Sequence, residues 1–267
     1  VPIDKYNKKS TLSLVMICKN ESKHLSACLE TVKDIVDEII ILDSGSTDQT
    51  QQIAEEYSAK WYVNLDWQGF GKQRQLAQTY ATGDYVLVLD ADERLDQNLR
   101  RSIVEILEQP VQTDKVFSFA RINYFSGIPT HLRGWYRDWE NRMYARKTFS
   151  YSDLEVHESV NTFSAKIIKL KGLQLHFTSE SLYHYLVKRI RYSEDWAIEK
   201  YKCGKKISLL GILFRIWFSF IREYLIRGAF LYSAYGYISS IVLMWYTFNK
   251  YLILWYCSKI TDTNDSD

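Results

Sequence analysis

Tyr85–Glu93 reads Y-V-L-V-L-D-A-D-E. Five consecutive strand-forming apolar residues fit a β-strand covered on both faces, and carboxylates follow at once. The pattern occurs twice upstream. Leu12–Cys18 (L-S-L-V-M-I-C) leads into Lys19-Asn20-Glu21, and Glu38–Leu42 (E-I-I-I-L) leads into Asp43-Ser44-Gly45-Ser46-Thr47-Asp48. Lys60–Val63 is a further short strand. Helical patterns lie between these runs. Leu25, Cys28, Leu29 and Val32 fall at i, i+3, i+4 and i+7, a helix is expected over Lys72–Ala81, and Leu99, Ile103, Ile106 and Leu107 form a stripe that Asp96 can cap. Ser46-Thr47-Asp48-Gln49 has the form of a capping box opening a helix to about Tyr57. The alternation predicts an α/β fold, a mostly parallel sheet with helices on both faces. Ligands of such sheets bind outside the carboxyl ends of the strands, so the three acidic loops are expected on one rim.

Composition narrows the function. The chain has 267 residues, 46% hydrophobic and 25% charged, which excludes a disordered or fibrous protein. A formal net charge of +2 disfavours a nucleic-acid binder with a strong global field. Cys18, Cys28, Cys203 and Cys257 make no C-x-x-C pair, so zinc-ribbon and thioredoxin readings fail. Cys18 and Cys28 sit in apolar segments and read as buried thiols, which suits a reducing compartment. Val1–Ser10 carries charges and no apolar core, so no secretory signal is expected there.

The acids carry the chemistry. Like charges crowded on one rim raise each other's pKa unless something neutralises them. A divalent cation, Mg²⁺ or Mn²⁺, does so by taking carboxylate oxygens together with substrate phosphates. The D-x-D spacing of Asp90 and Asp92 lets one carboxylate reach a metal while the other stays near the sheet. Asp48 and Asp96 read as helix caps. Gly69-Phe70-Gly71-Lys72 precedes a helix, so its N–H groups with Lys72 or Arg74 could meet a phosphate, or the glycines simply loosen the helix start. It matches neither the P-loop nor the dinucleotide motif.

V-M-I-C-K-N-E, D-S-G-S-T-D and L-D-A-D-E, in this order and spacing, resemble the nucleotide-sugar half of the family 2 glycosyltransferases with the GT-A (Rossmann-like) fold. That likeness covers roughly residues 12–109. G-F-G-K-Q-R, R-I-N-Y-F-S-G, G-W-Y-R-D and V-H-E-S-V resemble a narrower group, the bacterial lipopolysaccharide-core β-1,4-glucosyltransferases, which add glucose to inner-core heptose. The resemblance implies a UDP-glucose donor and an inverting, metal-assisted displacement. It implies that Asn20 and Glu21 line the nucleotide end, Asp43 contacts uracil or ribose, Lys72 and Arg74 lie near base or diphosphate, and Asp90 contacts the ribose. It assigns the metal to Asp92, with His176 approaching metal or diphosphate, and the catalytic base to Glu158. Glu93 stands behind them as a supporting group, and Asp138 and Asp153 are rival bases.

Other candidates weigh less. His157-Glu158 begins like H-E-x-x-H, but Asn161 stands at the fifth position. His24, His131 and His184 have no ligand-spaced partner and read as surface or core residues. Trp135 and Tyr136 either stack on an acceptor sugar or belong to the core. Arg133, Arg137, Arg142 and Arg146 form either a basic cluster for a phosphorylated oligosaccharide or a solvated loop. Competing functions are transfer to a polyprenyl phosphate or another glycan, a two-carboxylate glycoside hydrolase, and a non-catalytic sugar-nucleotide binder.

The domain expectation is a catalytic region at 1–180 and a helical, membrane-associating region at 181–267. Between Lys188 and Arg227 lie ten basic and four acidic residues, set among Trp, Phe, Leu and Ile. That composition suits an interfacial helix on anionic lipid. Residues 228–249 carry no charge, so a spanning helix is the alternative, although Gly236, several Tyr and Lys250 argue for lying on the surface. The expected location is the cytoplasmic face of the inner membrane, peripheral or monotopic, where a lipid-linked core oligosaccharide acceptor lies.

Overall fold

The computed structural model describes residues 8–125, 128–129, 138–152, 159–179 and 182–264. The chain divides into two compact units, the first built from residues 1–121 and 138–176, the second from 122–137 and 177–267.

The first unit follows the strand–helix alternation. In order it holds β1 (Leu12–Cys18), α1 (Leu25–Leu29), β2 (Glu38–Asp43), α2 (Thr50–Glu56), β3 (Lys60–Val63), α3 (Phe70–Thr79), β4 (Tyr85–Val88), β5 (Glu93–Leu95) and α4 (Gln97–Leu107). β6 (Lys115–Phe125), β8 (Asp138–Ala145) and β9 (Lys166–Ser179) complete one sheet of order β3-β2-β1-β4-β8-β6-β9-β5, with the short β7 (Ile128–Pro129) paired to β6; β7, residues 122–125 of β6 and residues 177–179 of β9 belong to the second unit. The parallel expectation holds for β3-β2-β1-β4. β4 pairs antiparallel with β8, as do β6 with β8 and β5 with β9. The parallel half needs crossover helices, and these supply the 3.6-residue periodicity read in the sequence; among the described residues strands 6 to 9 have none between them.

β1, β2 and β4 are buried on both faces, as their unbroken apolar runs require. Leu12, Leu14 and Met16 of β1 join α1 and α4 in one core, while Val15 and Ile17 join Ala77 of α3 in the other. Asp96 caps α4, its carboxylate accepting from the N–H of Leu99 at 2.7 Å. The capping box at Ser46 does not form. Asp43 takes the Ser46 hydroxyl, and Asp48 instead accepts from the Thr50 N–H at 3.0 Å where α2 begins.

Gly172 fixes how β9 crosses the start of α4. Its φ is +109°, and a Cβ there would meet the Leu99 nitrogen at 2.1 Å and Asp96 Oδ1 at 2.7 Å. Both the backbone conformation and the space exclude a side chain. Gly172→Ala should therefore destabilise the first unit by roughly 2–4 kcal/mol, read as a lower urea midpoint; an unchanged midpoint would show that this crossing relaxes freely.

The second unit is mainly helical, with α5 (Leu182–Lys202), α6 (Leu209–Ile221) and α7 (Ser233–Asn264). α7 runs parallel to α5: Arg189 stacks on Tyr246 and Trp196 meets Tyr251. It runs antiparallel to α6, where Arg215 donates to Tyr251 and Ser219 bonds Thr247. No helix among the described residues is long and apolar enough to cross a membrane, so the spanning alternative for 228–249 gains no support.

Candidate active site

The carboxyl ends of β1, β2 and β4 lie at one edge of the sheet. Cys18 pairs with Asp43 across β1 and β2, and Val15 pairs with Val88 across β1 and β4. The loops carrying Asn20, Asp43 and Asp90 therefore share the rim expected of them.

The first two loops are stitched together. Asn20 adopts φ +58°, a left-handed conformation that asparagine tolerates. Its N–H donates to Ser46 Oγ at 2.8 Å, and its Oδ1 accepts from the Thr47 N–H at 2.8 Å. The Glu21 N–H donates to Thr50 Oγ1 at 2.8 Å. Asp43 is buried and organises the turn: Oδ2 accepts from the N–H groups of Gly45 and Ser46 at 2.8 Å each, and Oδ1 accepts from the Ser46 hydroxyl and the Cys18 thiol. Burial, and then the Asp43 carboxylate, push the Cys18 thiol far above its ordinary pKa, so it stays protonated.

The third loop holds the charge network. Asp90 Oδ1 accepts from Arg74 Nη2 at 2.7 Å, and Arg142 Nη2 lies 3.4 Å from its Oδ2. Arg142 Nη2 also donates to Glu93 Oε1 at 2.6 Å, while Glu93 Oε2 accepts from the Asp90 N–H at 2.9 Å. Burial opposes the Asp90 charge, but Arg74 and Arg142 outweigh it and hold the carboxyl well below the usual range. Glu93 is fully buried, and burial raises its pKa despite Arg142. The sequence reading, in which only a metal makes these acids tolerable, is thus corrected: two buried guanidinium groups already balance Asp90 and Glu93. Arg142 and Arg146 likewise leave the basic cluster read as exposed, since Arg142 is buried in this network and Arg146 donates to the carbonyls of Gly83 and Thr82.

Asp92 faces a different partner. Its Oδ2 lies 3.2 Å from His176 Nε2, and both side chains are partly exposed. The register of β5 against β9 pairs Glu93 with His176 and so brings the imidazole beside Asp92. Among the described residues no group of three or more His, Cys, Asp or Glu could hold a metal unaided. One carboxylate and one imidazole still fit a divalent cation that draws its other ligands from phosphates and water.

Lys72 and Arg74, read together in the sequence, are separated here. Two residues apart on α3, they point to different sides: Lys72 is exposed, with Nζ 3.3 Å from Gln68, whereas Arg74 is buried against Asp90. Gln73 between them escaped sequence reasoning. It is buried and bridges Asn64 and Ser44, tying α3 to the Asp43 loop. Tyr151, also missed, lies under Arg74, whose guanidinium is 5.3 Å from the ring centroid.

Glu158 and its rival Asp153 lie outside the described residues, as do Trp135, Tyr136, Arg133, Arg137, His131 and His157. The residues bounding that stretch are described, and Tyr151 pairs with Val160 as an antiparallel bridge. The other rival, Asp138, is engaged with Arg121 at 2.6 Å.

A half-parallel sheet whose strand ends carry acids, with Asp90 and Asp92 on one loop, has the architecture of the GT-A fold. Residues 13–167 match the family model described as glycosyl transferase family 2, and the chain belongs to that family. It is 29% identical over 262 residues to an uncharacterised glycosyltransferase of Rickettsia prowazekii, covering 91% of this chain and 85% of the relative. It is also 29% identical over 255 residues to the lipopolysaccharide core biosynthesis glycosyltransferase LpsC of Rhizobium meliloti, covering 90% of each. Among solved structures, a mannosyltransferase of Pyrobaculum calidifontis in complex with GDP-mannose and Mn²⁺ shares the fold. Its TM-score is 0.54 at 12% identity, over 96% of this chain and 89% of that one.

Proposed function

We propose that the protein is an inverting hexosyltransferase that moves glucose from UDP-glucose to a heptose of the lipopolysaccharide inner core, working at the cytoplasmic face of the inner membrane. One observation carries this reading: Asp92 and His176 stand together, 3.2 Å apart, on the rim that also holds Asp90 and the Asp43 loop. The glucose donor and heptose acceptor rest on the sequence resemblance alone; the name of the Rhizobium relative supports the lipopolysaccharide core as the setting.

Each residue then has a task. Asn20, Glu21 and the turn built on Asp43 receive the uracil and ribose. Asp90, held ionised by Arg74 and Arg142, accepts from the ribose hydroxyls. Lys72, exposed on α3, meets the diphosphate. Asp92 and His176 would hold a divalent cation, which supplies positive charge to the departing diphosphate. A sugar hydroxyl is a poor nucleophile, so the Glu158 carboxylate takes its proton as the oxygen attacks the anomeric carbon. UDP leaves from the opposite side, and the single displacement turns an α-linked donor into a β-linked product.

Glu158→Gln removes the base and keeps the shape. It should leave UDP binding intact while turnover falls by about 10²-fold or more. Assay of UDP release beside calorimetric UDP binding tests this; near-normal turnover would move the base to Asp153 or Asp138.

A further inference from the structure

The second unit carries an apolar surface on α6. Leu210, Leu213, Phe214, Trp217, Phe218 and Ile221 of α6 are all exposed, Leu210 by 79%, Phe214 by 71% and Trp217 by 65%. At about 100° per residue these six positions sweep roughly 140° of the helix surface. The opposite side is used inside the unit: Ile212 and Ser219 are buried, and Ser219 bonds Thr247 of α7. Residues of this size are not left exposed together on one helix face without a partner.

The surrounding charge says what that partner is. From Lys202 to Tyr232 the chain holds six basic residues and one acid. The acid, Glu223, is buried and paired with Arg227 at 2.5 Å. Lys202, Lys205, Lys206 and Arg215 are exposed. Lys205 and Lys206 precede the helix, and Arg215 and Arg222 follow one edge of the apolar arc. A second copy of the chain would present the same cations, not the anions that match them.

α6 has 13 residues. At that length it measures about 20 Å, shorter than a hydrocarbon layer of about 30 Å. We infer that α6 lies in the plane of a bilayer, its Leu210–Ile221 face among the acyl chains and its flanking lysines and arginines on anionic phospholipid headgroups. Apolar burial supplies the anchor, and the cations select the headgroup charge. The inference deepens the membrane-face part of the proposed function and rests on that part alone.

The test uses the full chain and vesicles of phosphatidylglycerol with phosphatidylcholine, against phosphatidylcholine alone. Wild-type protein should float with the anionic vesicles, and its bound fraction should fall as salt rises. Phe214→Glu with Trp217→Glu should reduce vesicle binding at least about tenfold, and Lys205→Glu with Lys206→Glu should weaken it and flatten its salt dependence. Circular dichroism and UDP binding by each variant report folding separately. Should the double glutamate variant fail to fold, Trp217→Phe replaces it: brominated acyl chains should quench a smaller share of the emission than in the wild type. Equal flotation of the folded variants, equal quenching with Trp217→Phe, or a wild-type chain that ignores vesicles and dimerises through this face would each overturn the inference. Turnover of UDP-glucose on a soluble core oligosaccharide is scored separately, so loss of the enzymatic reading would not be mistaken for loss of this surface.

Discussion

Replacing Asp92 by alanine should abolish the Mn²⁺- or Mg²⁺-dependent part of UDP binding and lower kcat/KM by about 10³-fold or more. The reasoning starts from the charges. Asp90 and Glu93 have arginine partners, so neither needs a metal to be stable. Asp92 is different: its described partner is an imidazole that carries charge only when protonated. A carboxylate and a neutral imidazole side by side are a ligand pair for a hard or borderline cation. Without Asp92 the imidazole alone would compete poorly with water, and the diphosphate would lose its counter-charge. Calorimetric titration with UDP, with and without Mn²⁺, reads the effect. Equal affinities of wild type and Asp92→Ala under both conditions would remove Asp92 from the metal site. Asp92→Asn, which keeps shape and loses charge, should behave like the alanine variant.

Arg142→Ala should cost roughly 3–5 kcal/mol of stability, because it leaves Glu93 buried without its counter-ion. Asp90 would keep only Arg74, so donor binding should weaken as well. The loss should depend on pH. Burial already raises the Glu93 carboxyl above its ordinary pKa, and removing Arg142, which pulls it down, raises it further. A carboxyl whose pKa is higher folded than unfolded favours the folded state most at low pH and loses that advantage as pH rises. The deficit of Arg142→Ala should therefore be larger near about pH 8 than near about pH 5. Urea unfolding at the two pH values measures it. Arg142→Met with Glu93→Leu should recover most of the stability but not donor affinity, which separates the fold's need for the pair from the site's. An Arg142→Ala midpoint equal to wild type at both pH values would mean the network contributes nothing.

The parallel half of the sheet was legible because its strands are buried on both faces. L-S-L-V-M-I-C, E-I-I-I-L and Y-V-L-V-L give the period away with no partner in view, and the acids at their ends fall on one rim by topology. The counter-charges were not legible. Arg142 reaches Asp90 and Glu93 from a strand some fifty residues later, and in the sequence it sits among other arginines. Its one local signal is a charge placed directly before Met143, Tyr144 and Ala145, all of which are buried. Lys72 and Arg74 share one expected role, near base or diphosphate; on a helix, i and i+2 diverge, and the burial of Arg74 against Asp90 has no local signal in the sequence. Ser46 was read as a cap, and Asp43 claimed its hydroxyl first. In the second unit, composition gave the helices and their basic, aromatic character. It could not say which face of α6 pairs with α7 and which stays open.

The central claim is that the rim serves a nucleotide sugar. It is tested most directly by incubating the purified full chain and Mn²⁺ with UDP-glucose and a truncated core lipopolysaccharide, following UDP release and the linkage of the product. The expected result is UDP released in step with glucose joined to the acceptor in β configuration. Absence of UDP or any other nucleotide product, across a panel of nucleotide sugars and with either cation, would contradict the account.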